Sequence, residues 1–461
     1  MGTFLGYFYY YEPNMAWLVF VLVALGSACL LGKQTRFVPL VLLSVVAGVS
    51  LTTNFQNYRA AKGLSSLAYQ KVEVEGEIKG DPYWDADRNF VFTATDLRVN
   101  GQPKYGDLKV KTFSATSQEG NKVLIKGKIF PIRAKPNYQI SYATVAIVSH
   151  KQPFLVQAKQ VLYSGADRAL DQTTAGFIKG ILVGSRSSLP QPNQDSLNSV
   201  GLSHIVAVSG YNLTILVVLL QRLLRKKWLW GSLLLSLGLV WSFTLLTGGS
   251  ASIVRAAIMA SAFLLASYYG RPLSVFTCLS LTAAITVIVN PVAAIEDLGW
   301  QLSFLSLTGI VILSPLISKV LPKKTKVLSE VVSVTLAAQI ATVPYILYVF
   351  GSYSILAVVA NFVVMPLIPF LMLVGFVASL VGVLIPNYAY LVGKPIDWLV
   401  GELFRFIGYL QSQQGFVFAT KPQLSALLIW YLCLSLLSII VYHRRLTTQS
   451  LSFQSTDQML K

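Results

Sequence analysis

The sequence predicts a polytopic α-helical membrane protein of about eleven spans, with a small β-barrel of the OB type inserted outside the membrane. Hydrophobic residues make up 54% of the 461 residues and charged residues only 12%, too few for the surface of a soluble protein. Windows of about 18 apolar residues recur through most of the chain, whereas residues 54–150 alternate between apolar and polar side chains. Lys and Arg concentrate in short turns between the apolar runs, as in cytoplasmic loops.

The apolar runs divide the chain into segments. Two spans, 15–32 and 37–53, flank the basic turn "KQTR", which places the N-terminus outside. The later spans are predicted at 203–221, 228–247, 250–269, 273–290, 302–321, 327–350, 353–385, 388–410 and 424–442. A re-entrant or interfacial segment could replace a span within 353–410. The predicted segments are 1–53 (two spans), 54–150 (barrel), 151–195 (amphipathic and interfacial, ending in a loop over 185–195), 196–446 (main membrane domain) and 447–461 (polar cytoplasmic tail).

The extracytoplasmic segment reads as strands and turns. Period-2 alternation predicts strands at 72–78, 89–99, 107–113, 121–130 and 143–149. The segment carries 14 Lys and Arg against 9 Asp and Glu. OB barrels often bind single-stranded nucleic acid through basic grooves and aromatic platforms, although a purely structural barrel that caps the membrane domain is the alternative. The candidate contacts are Tyr83, Trp84, Phe92, Lys109, Lys111, Lys126 and Lys128.

Charge and composition restrict the chemistry. The net charge is +18, of which membrane topology explains part and a polyanionic ligand would suit the remainder. Three cysteines within apolar stretches argue against a disulfide framework or a metal cluster. Three histidines far apart argue against a zinc hydrolase, which needs three protein ligands and a second shell. We expect no catalytic residue, no metal and no cofactor.

The first candidate site is "GLSHIVAVSGYN", residues 201–212, predicted to lie within one membrane helix. On a continuous helix His204 and Tyr211 share one face, and Ser209 lies beside Asn212 on an adjacent face. His204 is then too far around the helix to act as a base for Ser209. Two interpretations stay open: a polar stripe lining a passage, or a helix start at the outer interface with a close helix contact at Ser209-Gly210.

The second candidate is Arg255 in "GGSASIVRAAIM", several residues inside an otherwise apolar helix. The side chain could snorkel to the interface. However, an arginine in the outer half of a span runs against the positive-inside bias, which suggests a purpose. A guanidinium facing a pore would suit phosphates, since it can bind them with two hydrogen bonds.

Further polar residues recur in later spans. Asp297 is well placed as a helix N-cap. Gln301 and Ser303 either line a polar path or form interhelical hydrogen bonds. Helices broken by proline and carrying a lone polar residue are common around transport paths. Such residues here are Gln339, Pro344, Asn361 and Pro366.

These motifs together resemble a known family. "GLSHIVAVSGYNL", "SASIVRAAIM", "NPVAAIEDLGWQLSF", "AQIATVPYILYVFG" and "VANFVVMP" occur in the order seen in ComEC-type competence proteins. The resemblance covers nearly the whole chain and implies an inner-membrane channel through which single-stranded DNA passes during natural transformation, with 196–446 as the channel domain. The positions that it carries over are His204, Ser209, Gly210, Arg255, Gln301, Ser303, Gln339, Pro344, Asn361 and Pro366.

The sequence departs from that family in two places. Asn212 stands where many relatives have a histidine, which puts a proton-linked role of this position in doubt. Many relatives also end in a metallo-β-lactamase-like domain, which this sequence lacks, so we expect a channel without its own nuclease. No P-loop "GxxxxGK[ST]" is present, which predicts a separate cytoplasmic ATPase or helicase.

The remaining expected partners are the lipid bilayer, an extracytoplasmic DNA receptor, a separate nuclease and cytoplasmic single-stranded-DNA-binding proteins. Other classes were weighed against DNA conduction. A small-solute transporter or flippase would share the broken helices but gives no reason for a barrel. An intramembrane serine hydrolase built on Ser209 lacks a histidine partner in the membrane. A scaffold without a conducting path is the last alternative.

Overall fold

A computed structural model describes residues 63–437, apart from residues 86, 114–117, 133–137, 150–153, 186–187, 207, 225–228, 272, 292, 322–325, 414–416 and 419. The two N-terminal spans and the tail over 447–461 lie outside the described residues. The chain divides into two compact units. One comprises Phe55–Thr282 with Val359–Gly415, and the other comprises Met1–Asn54, Ala283–Val358 and Phe416–Lys461.

The first unit begins with a closed five-stranded barrel. Its strands run in the order β1-β2-β4-β6-β5, and pairing of β1 with β5 closes the ring. β4 and β6 are parallel, whereas every other neighbouring pair is antiparallel. The strands are β1 (Lys71–Trp84), β2 (Phe90–Val99), β3 (Gln102–Pro103, paired with β2), β4 (Leu108–Thr112), β5 (Lys122–Pro131), β6 (Tyr138–Ile140) and β7 (Thr144–Ser149).

The fifth strand of the ring differs from the predicted one. The predicted strand 143–149 corresponds to β7, which pairs with β5 but not with β4. The three-residue β6 instead fills the place between β4 and β5 in the ring. β7 continues along β5 after an interruption at 141–143. Tyr142 has a left-handed backbone (φ +56°), which breaks the extended run. A three-residue strand is too short for alternation to reveal.

The barrel core follows the alternation of its strands. In β4, Leu108 and Val110 are buried while Lys109 and Lys111 point outward. Full burial of each such apolar side chain contributes about 1.5–3 kcal/mol to stability. The largest apolar side chains of the core are Leu64, Ile78, Phe90, Phe92, Leu97, Leu108, Ile125, Ile129 and Ile140.

A buried ionic cluster joins the barrel to the first helix, α1 (Phe154–Ala169). The Lys159 Nζ lies 2.8 Å from Asp81 Oδ1 and 2.7 Å from Glu119 Oε2. The Tyr163 hydroxyl donates to Asp81 Oδ2 at 2.9 Å, and burial raises the pKa of this phenol. Since a buried charge is stable only when paired, this cluster fixes the orientation of the barrel on α1.

The helices that follow α1 in the first unit are α2 (Gln172–Val183), α3 (Gln191–Ser199), α4 (Ser203–Val206), α5 (Gly210–Leu223), α6 (Leu229–Leu246), α7 (Ala251–Tyr268), α13 (Ile368–Leu384) and α14 (Ala389–Ser412). Of these helices, α2, α13 and α14 pack most extensively against α1. The predicted loop over 185–195 is wrong in its last part, because α3 begins at Gln191. Proline is tolerated in the first helical turn, so Pro192 does not prevent this helix.

The second unit is helical, with one two-stranded sheet formed by β8 (Tyr353–Ser354) and β9 (Val417–Phe418). Its helices are α9 (Ala293–Glu296), α10 (Leu298–Val320), α11 (Lys326–Phe350) and α15 (Leu424–Leu437). The helices α8 (Val275–Val289) and α12 (Leu356–Val364) begin in one unit and end in the other.

Membrane-spanning helices can be judged by length and apolarity over the described ranges. Three helices qualify (Ala251–Tyr268, Leu298–Val320 and Ser329–Phe350), and a fourth span results if α12 and α13, bent by 50°, count as one. The helices over 230–246, 275–289 and 424–437 are apolar but shorter. The predicted span 388–410 is instead the amphipathic α14, whose four charges (Lys394, Asp397, Glu402 and Arg405) exclude it from this set.

Candidate functional site

The motif at 201–212 does not form one helix, so the prediction of a continuous span over 203–221 is wrong. His204 lies in the short α4 and is exposed, whereas α5 begins at Gly210 after Ser209 as its N-cap residue. The face shared by His204 and Tyr211 therefore does not exist. Tyr211 itself is exposed, on the first turn of α5.

The polar residues after this break hold neighbouring segments together. Asn212 is buried; its Nδ2 donates to the Ile181 carbonyl near the end of α2 at 3.0 Å. The Ser209 hydroxyl donates to Asn212 Oδ1 at 3.3 Å, as their predicted proximity suggested. A Cβ at Gly210 would lie 2.8 Å from the Ala256 Cβ of α7. The close helix contact at Ser209-Gly210 is thus present, and Asn212 satisfies a carbonyl that the end of α2 leaves open.

Arg255 lies in the second turn of α7 and is the largest fully buried side chain of the described chain, with 1% of its surface exposed. Ile253 and Ala257, on the opposite side of the helix, form the apolar cluster with α5 and α6. The guanidinium therefore does not snorkel to a surface of the protein. Burying a charge is costly, so a position that keeps one is a candidate functional site.

In the second unit, polar residues on α10 and α11 form specific interhelical hydrogen bonds. Asp297 caps α10 by accepting from the Gly299 and Trp300 backbone N–H groups, as predicted. Gln301 is buried, donates to the Ala294 carbonyl at 3.1 Å, and accepts from the Tyr345 hydroxyl. These contacts favour the interhelical interpretation of Gln301 over an exposed pore lining.

The other candidates of this unit follow the same pattern. Gln339 Oε1 accepts from the Tyr353 hydroxyl at 2.8 Å, which ties α11 to β8. Ser303 is half-buried on α10, and Pro344 lies inside α11, where it removes one helical hydrogen bond.

Asn361 and Pro366 lie at the bent pair of helices in the first unit. Asn361 is buried in α12, and its Oδ1 accepts no hydrogen bond from the described residues. Pro366 is exposed in the turn between α12 and α13, where the 50° bend occurs. The predicted helix break is therefore present, with a buried polar side chain directly before it.

The outer face of β2 and β4 brings together three of the seven barrel candidates. Lys109 and Lys111 project from β4 and pair in register with Thr93 and Val91 of β2. Tyr83 lies opposite Val91 on β1, whereas the exposed Trp84 lies opposite the buried Phe90 and therefore points to the other side of the strand. We call this surface the β2–β4 face.

The remaining barrel candidates lie elsewhere. Phe92 is 3% exposed in the barrel core, so its assignment as a stacking residue is wrong. Its alternation with Thr93 already indicated an inward side chain. Lys126 and Lys128 lie on β5, where Lys126 forms an ion pair with Glu73 at 3.1 Å and the Lys128 Nζ lies 5.5 Å from the Phe130 ring centroid. The candidates therefore occupy two different faces.

An ion pair partly neutralises the positive charge of the β2–β4 face. The Lys111 Nζ lies 2.7 Å from Asp85 Oδ2. The hydrogen bond from Lys111, with further bonds from Asn89, lowers the pKa of the Asp85 carboxyl to about 2, and the same contact raises the pKa of Lys111. Both groups are therefore ionised at neutral pH.

This lowered pKa predicts an acid-sensitive barrel. The stabilisation is fully present above the ordinary carboxyl pKa of about 3.9 and is lost as the pH falls toward 2. We expect the protection of the β2 and β4 amides against hydrogen exchange, measured relative to an unfolded peptide at the same pH, to decrease over this interval. Asp85→Asn should remove most of that dependence. An equally steep profile in the variant would show that other carboxylates cause it.

Sequence reasoning missed the contacts that join distant segments. The Lys159 cluster connects residues 40 or more positions apart, and Tyr345 and Tyr353 satisfy the glutamines of α10 and α11. The only sign of these contacts in the sequence was a charged residue within an apolar helix, and such a residue does not identify its partners. Among the described residues, no group of three or more His, Cys, Asp and Glu side chains is close enough to hold a metal ion.

The fold and these residues define a helical membrane protein that carries a small closed β-barrel. The family model described as "Competence protein" matches residues 181–445, which is more than half of the chain. The chain belongs to the competence protein family, in agreement with the resemblance of its motifs.

The comparison with curated proteins finds "ComE operon protein 3" of Bacillus subtilis (strain 168), 24% identical over 353 residues. The alignment covers 73% of this chain and 44% of that protein, so the chain spans less than half the length of this relative. No solved structure matches the chain.

Proposed function

We propose that this protein is a multi-pass channel of the cytoplasmic membrane that conducts single-stranded DNA during natural transformation. The observation that carries the proposal is the family match over 181–445, which includes every candidate residue of the membrane path. The bacterial relative supports it through its place in the same family. The proposal assigns no catalytic step to this chain.

The barrel would receive the strand before it enters the membrane. Its closed five-stranded ring, with β4 parallel to β6 and β1 closing on β5, supports assignment to the OB type. In OB barrels the ligand-binding face is formed by the second and third strands of the ring, which correspond to β2 and β4 here. The β2–β4 face offers Lys109 and Lys111 for phosphates and Tyr83 for bases.

Arg255 would contact phosphates within the membrane. A guanidinium can bind a phosphate with two parallel hydrogen bonds, and the side chain of arginine is always protonated in proteins. Because Arg255 is buried, the proposal requires the helices around it to separate when a strand passes. Inward movement requires work, which we assign to a separate cytoplasmic ATPase or helicase.

We propose the further partners from the same family match. An extracytoplasmic receptor would deliver the DNA, a separate nuclease would remove the complementary strand, and cytoplasmic single-stranded-DNA-binding proteins would receive the product. About eleven spans, an outside N-terminus and a cytoplasmic C-terminus complete the proposed topology.

Removal of the gene tests the proposal directly. Labelled DNA is supplied to a naturally transformable host, and label in the nuclease-protected cytoplasmic pool is compared with and without the gene. We expect uptake to be abolished by deletion and restored by a plasmid copy. Undiminished uptake in the deletion strain would exclude DNA conduction, and flux of small solutes into liposomes would then distinguish a transporter.

A further inference from the structure

An exposed aromatic pair lies at one end of the barrel and was not among the predicted contacts. Phe113 directly follows β4, and Tyr142 follows β6, the parallel neighbour of β4. Their ring centroids are 5.6 Å apart with an interplanar angle of 34°. The two side chains are 65% and 74% exposed, so they add little to the barrel core.

The pair continues the basic row of the β2–β4 face. The outward side chains of β4 are Lys109 and Lys111, and Phe113 comes two residues later. Alternate residues of a strand lie roughly 7 Å apart, so two cations and an aromatic ring follow one another along one line. This spacing suits a ligand that presents anionic groups and flat rings along one chain.

The backbone at Tyr142 determines where its ring lies. Its φ of +56° lies in the left-handed region, which is unfavourable for a bulky side chain. The Ala143 backbone N–H donates to the Lys111 carbonyl at 2.9 Å and so anchors this turn to β4. This turn holds the exposed Tyr142 ring beside Phe113 at the end of β4.

We infer that Phe113 and Tyr142 form a base-stacking site for single-stranded nucleic acid whose phosphates lie along Lys109 and Lys111. The inference rests on the proposed function and adds the residues that hold the bases. Stacking on aromatic side chains accepts every base, because each has a π face. The site therefore binds DNA of any sequence, which uptake of foreign DNA requires.

The test uses the full chain in lipid nanodiscs and a fluorescently labelled oligonucleotide of mixed sequence. Phe113→Ala combined with Tyr142→Asn removes both rings, and asparagine tolerates the left-handed backbone better than tyrosine. We expect the affinity for the oligonucleotide to fall about tenfold or more, because stacking of a base on an aromatic side chain contributes to binding by about that factor. The thermal unfolding midpoint should stay the same or rise.

The chain provides a matched control. Tyr69 also has a left-handed backbone (φ +65°), is 62% exposed, and contacts an aromatic ring, Phe130, at 6.2 Å. This second pair lies beside β5, where the Lys128 ammonium already approaches the Phe130 ring. We expect Tyr69→Asn to leave oligonucleotide affinity unchanged.

The outcomes separate the inference from the proposed function. Equal binding by wild type and the double variant overturns the stacking site while leaving channel function to the uptake assay. A loss of affinity in Tyr69→Asn but not in the double variant would move the site to β5. A photo-crosslinker at position 142 that captures lipid instead of DNA would identify the pair as a membrane contact and overturn the inference.

Discussion

Arg255→Ala is expected to reduce uptake of labelled DNA into the nuclease-protected pool by at least about tenfold at equal membrane abundance, equivalent to about 1.4 kcal/mol. Arg255 is the largest fully buried side chain described, and it lies inside an apolar helix. A buried cation is costly and persists where a function requires it. Because DNA carries one negative charge per nucleotide, removing this cation should raise the barrier to passage.

A second variant distinguishes a functional arginine from a structural one. Arg255→Met keeps an apolar side chain of similar length without the charge. Replacing a buried ionic group by a well-packed apolar one is often neutral or stabilising. We therefore expect the purified Arg255→Met protein to unfold at the same or a higher temperature while DNA uptake is still lost. Arg255→Lys should retain part of the activity, since it keeps the charge but loses the bidentate geometry.

Arg271 provides the control close to the same helix. It follows the end of α7 and is exposed. Removing an exposed cation changes little, so Arg271→Met should leave uptake within about twofold of wild type. Normal uptake by Arg255→Ala, in a strain where deletion of the gene abolishes uptake, would show that Arg255 is not part of the DNA path.

The second large effect is expected from Gly393→Ala in α14. A Cβ at this position would lie 1.6 Å from the Ala169 carbonyl oxygen of α1, so the helices must separate. The contact between α1 and α13 is equally close, because a Cβ at Gly382 would lie 2.0 Å from the Gly165 carbonyl oxygen. Small residues permit such approaches between helices in membrane proteins. We expect destabilisation by about 2–3 kcal/mol and a lower yield of folded protein.

The same helix contains its own control. Gly401 lies two turns further along α14, and a Cβ there would meet no atom within 4 Å. Alanine favours a helix over glycine by roughly 1 kcal/mol, so Gly401→Ala should raise the thermal unfolding midpoint slightly. The measurement is thermal unfolding in detergent with both variants at equal concentration. If Gly393→Ala and Gly401→Ala unfold at the same temperature, α1 and α14 do not approach each other as described.

The barrel was largely predictable because alternation is a local property. Strands at 72–78, 89–99, 107–113 and 121–130 agree with β1, β2, β4 and β5 within a few residues, apart from the longer C-terminal end of β1. The fifth strand of the ring was misplaced because β6 has only three residues, too few for alternation to be visible. Its parallel partner, β4, is also distant in the sequence. For Phe92 the alternation of β2 did indicate an inward side chain, but the residue was assigned to the surface because it is aromatic.

The membrane helices were less predictable, because hydropathy does not specify the ends or partners of helices. The run over 203–221 is apolar enough to suggest one span, yet Asn212 secures the carbonyl end of α2 and the chain turns before α5 begins. Gln301 likewise could have faced a pore, but the hydroxyl of Tyr345, 44 residues away, satisfies it.

The class of protein, the location of the barrel, the Asp297 cap and the ordered motifs of the competence family could be read from the sequence, because composition, alternation and capping act over a few residues. The three-dimensional arrangement was needed to show which polar residues are satisfied internally, that Arg255 is enclosed by protein, and that cations and aromatic rings share one face of the barrel. Those properties depend on contacts between segments distant in the chain, and the free energy of each contact is set by the geometry of both partners.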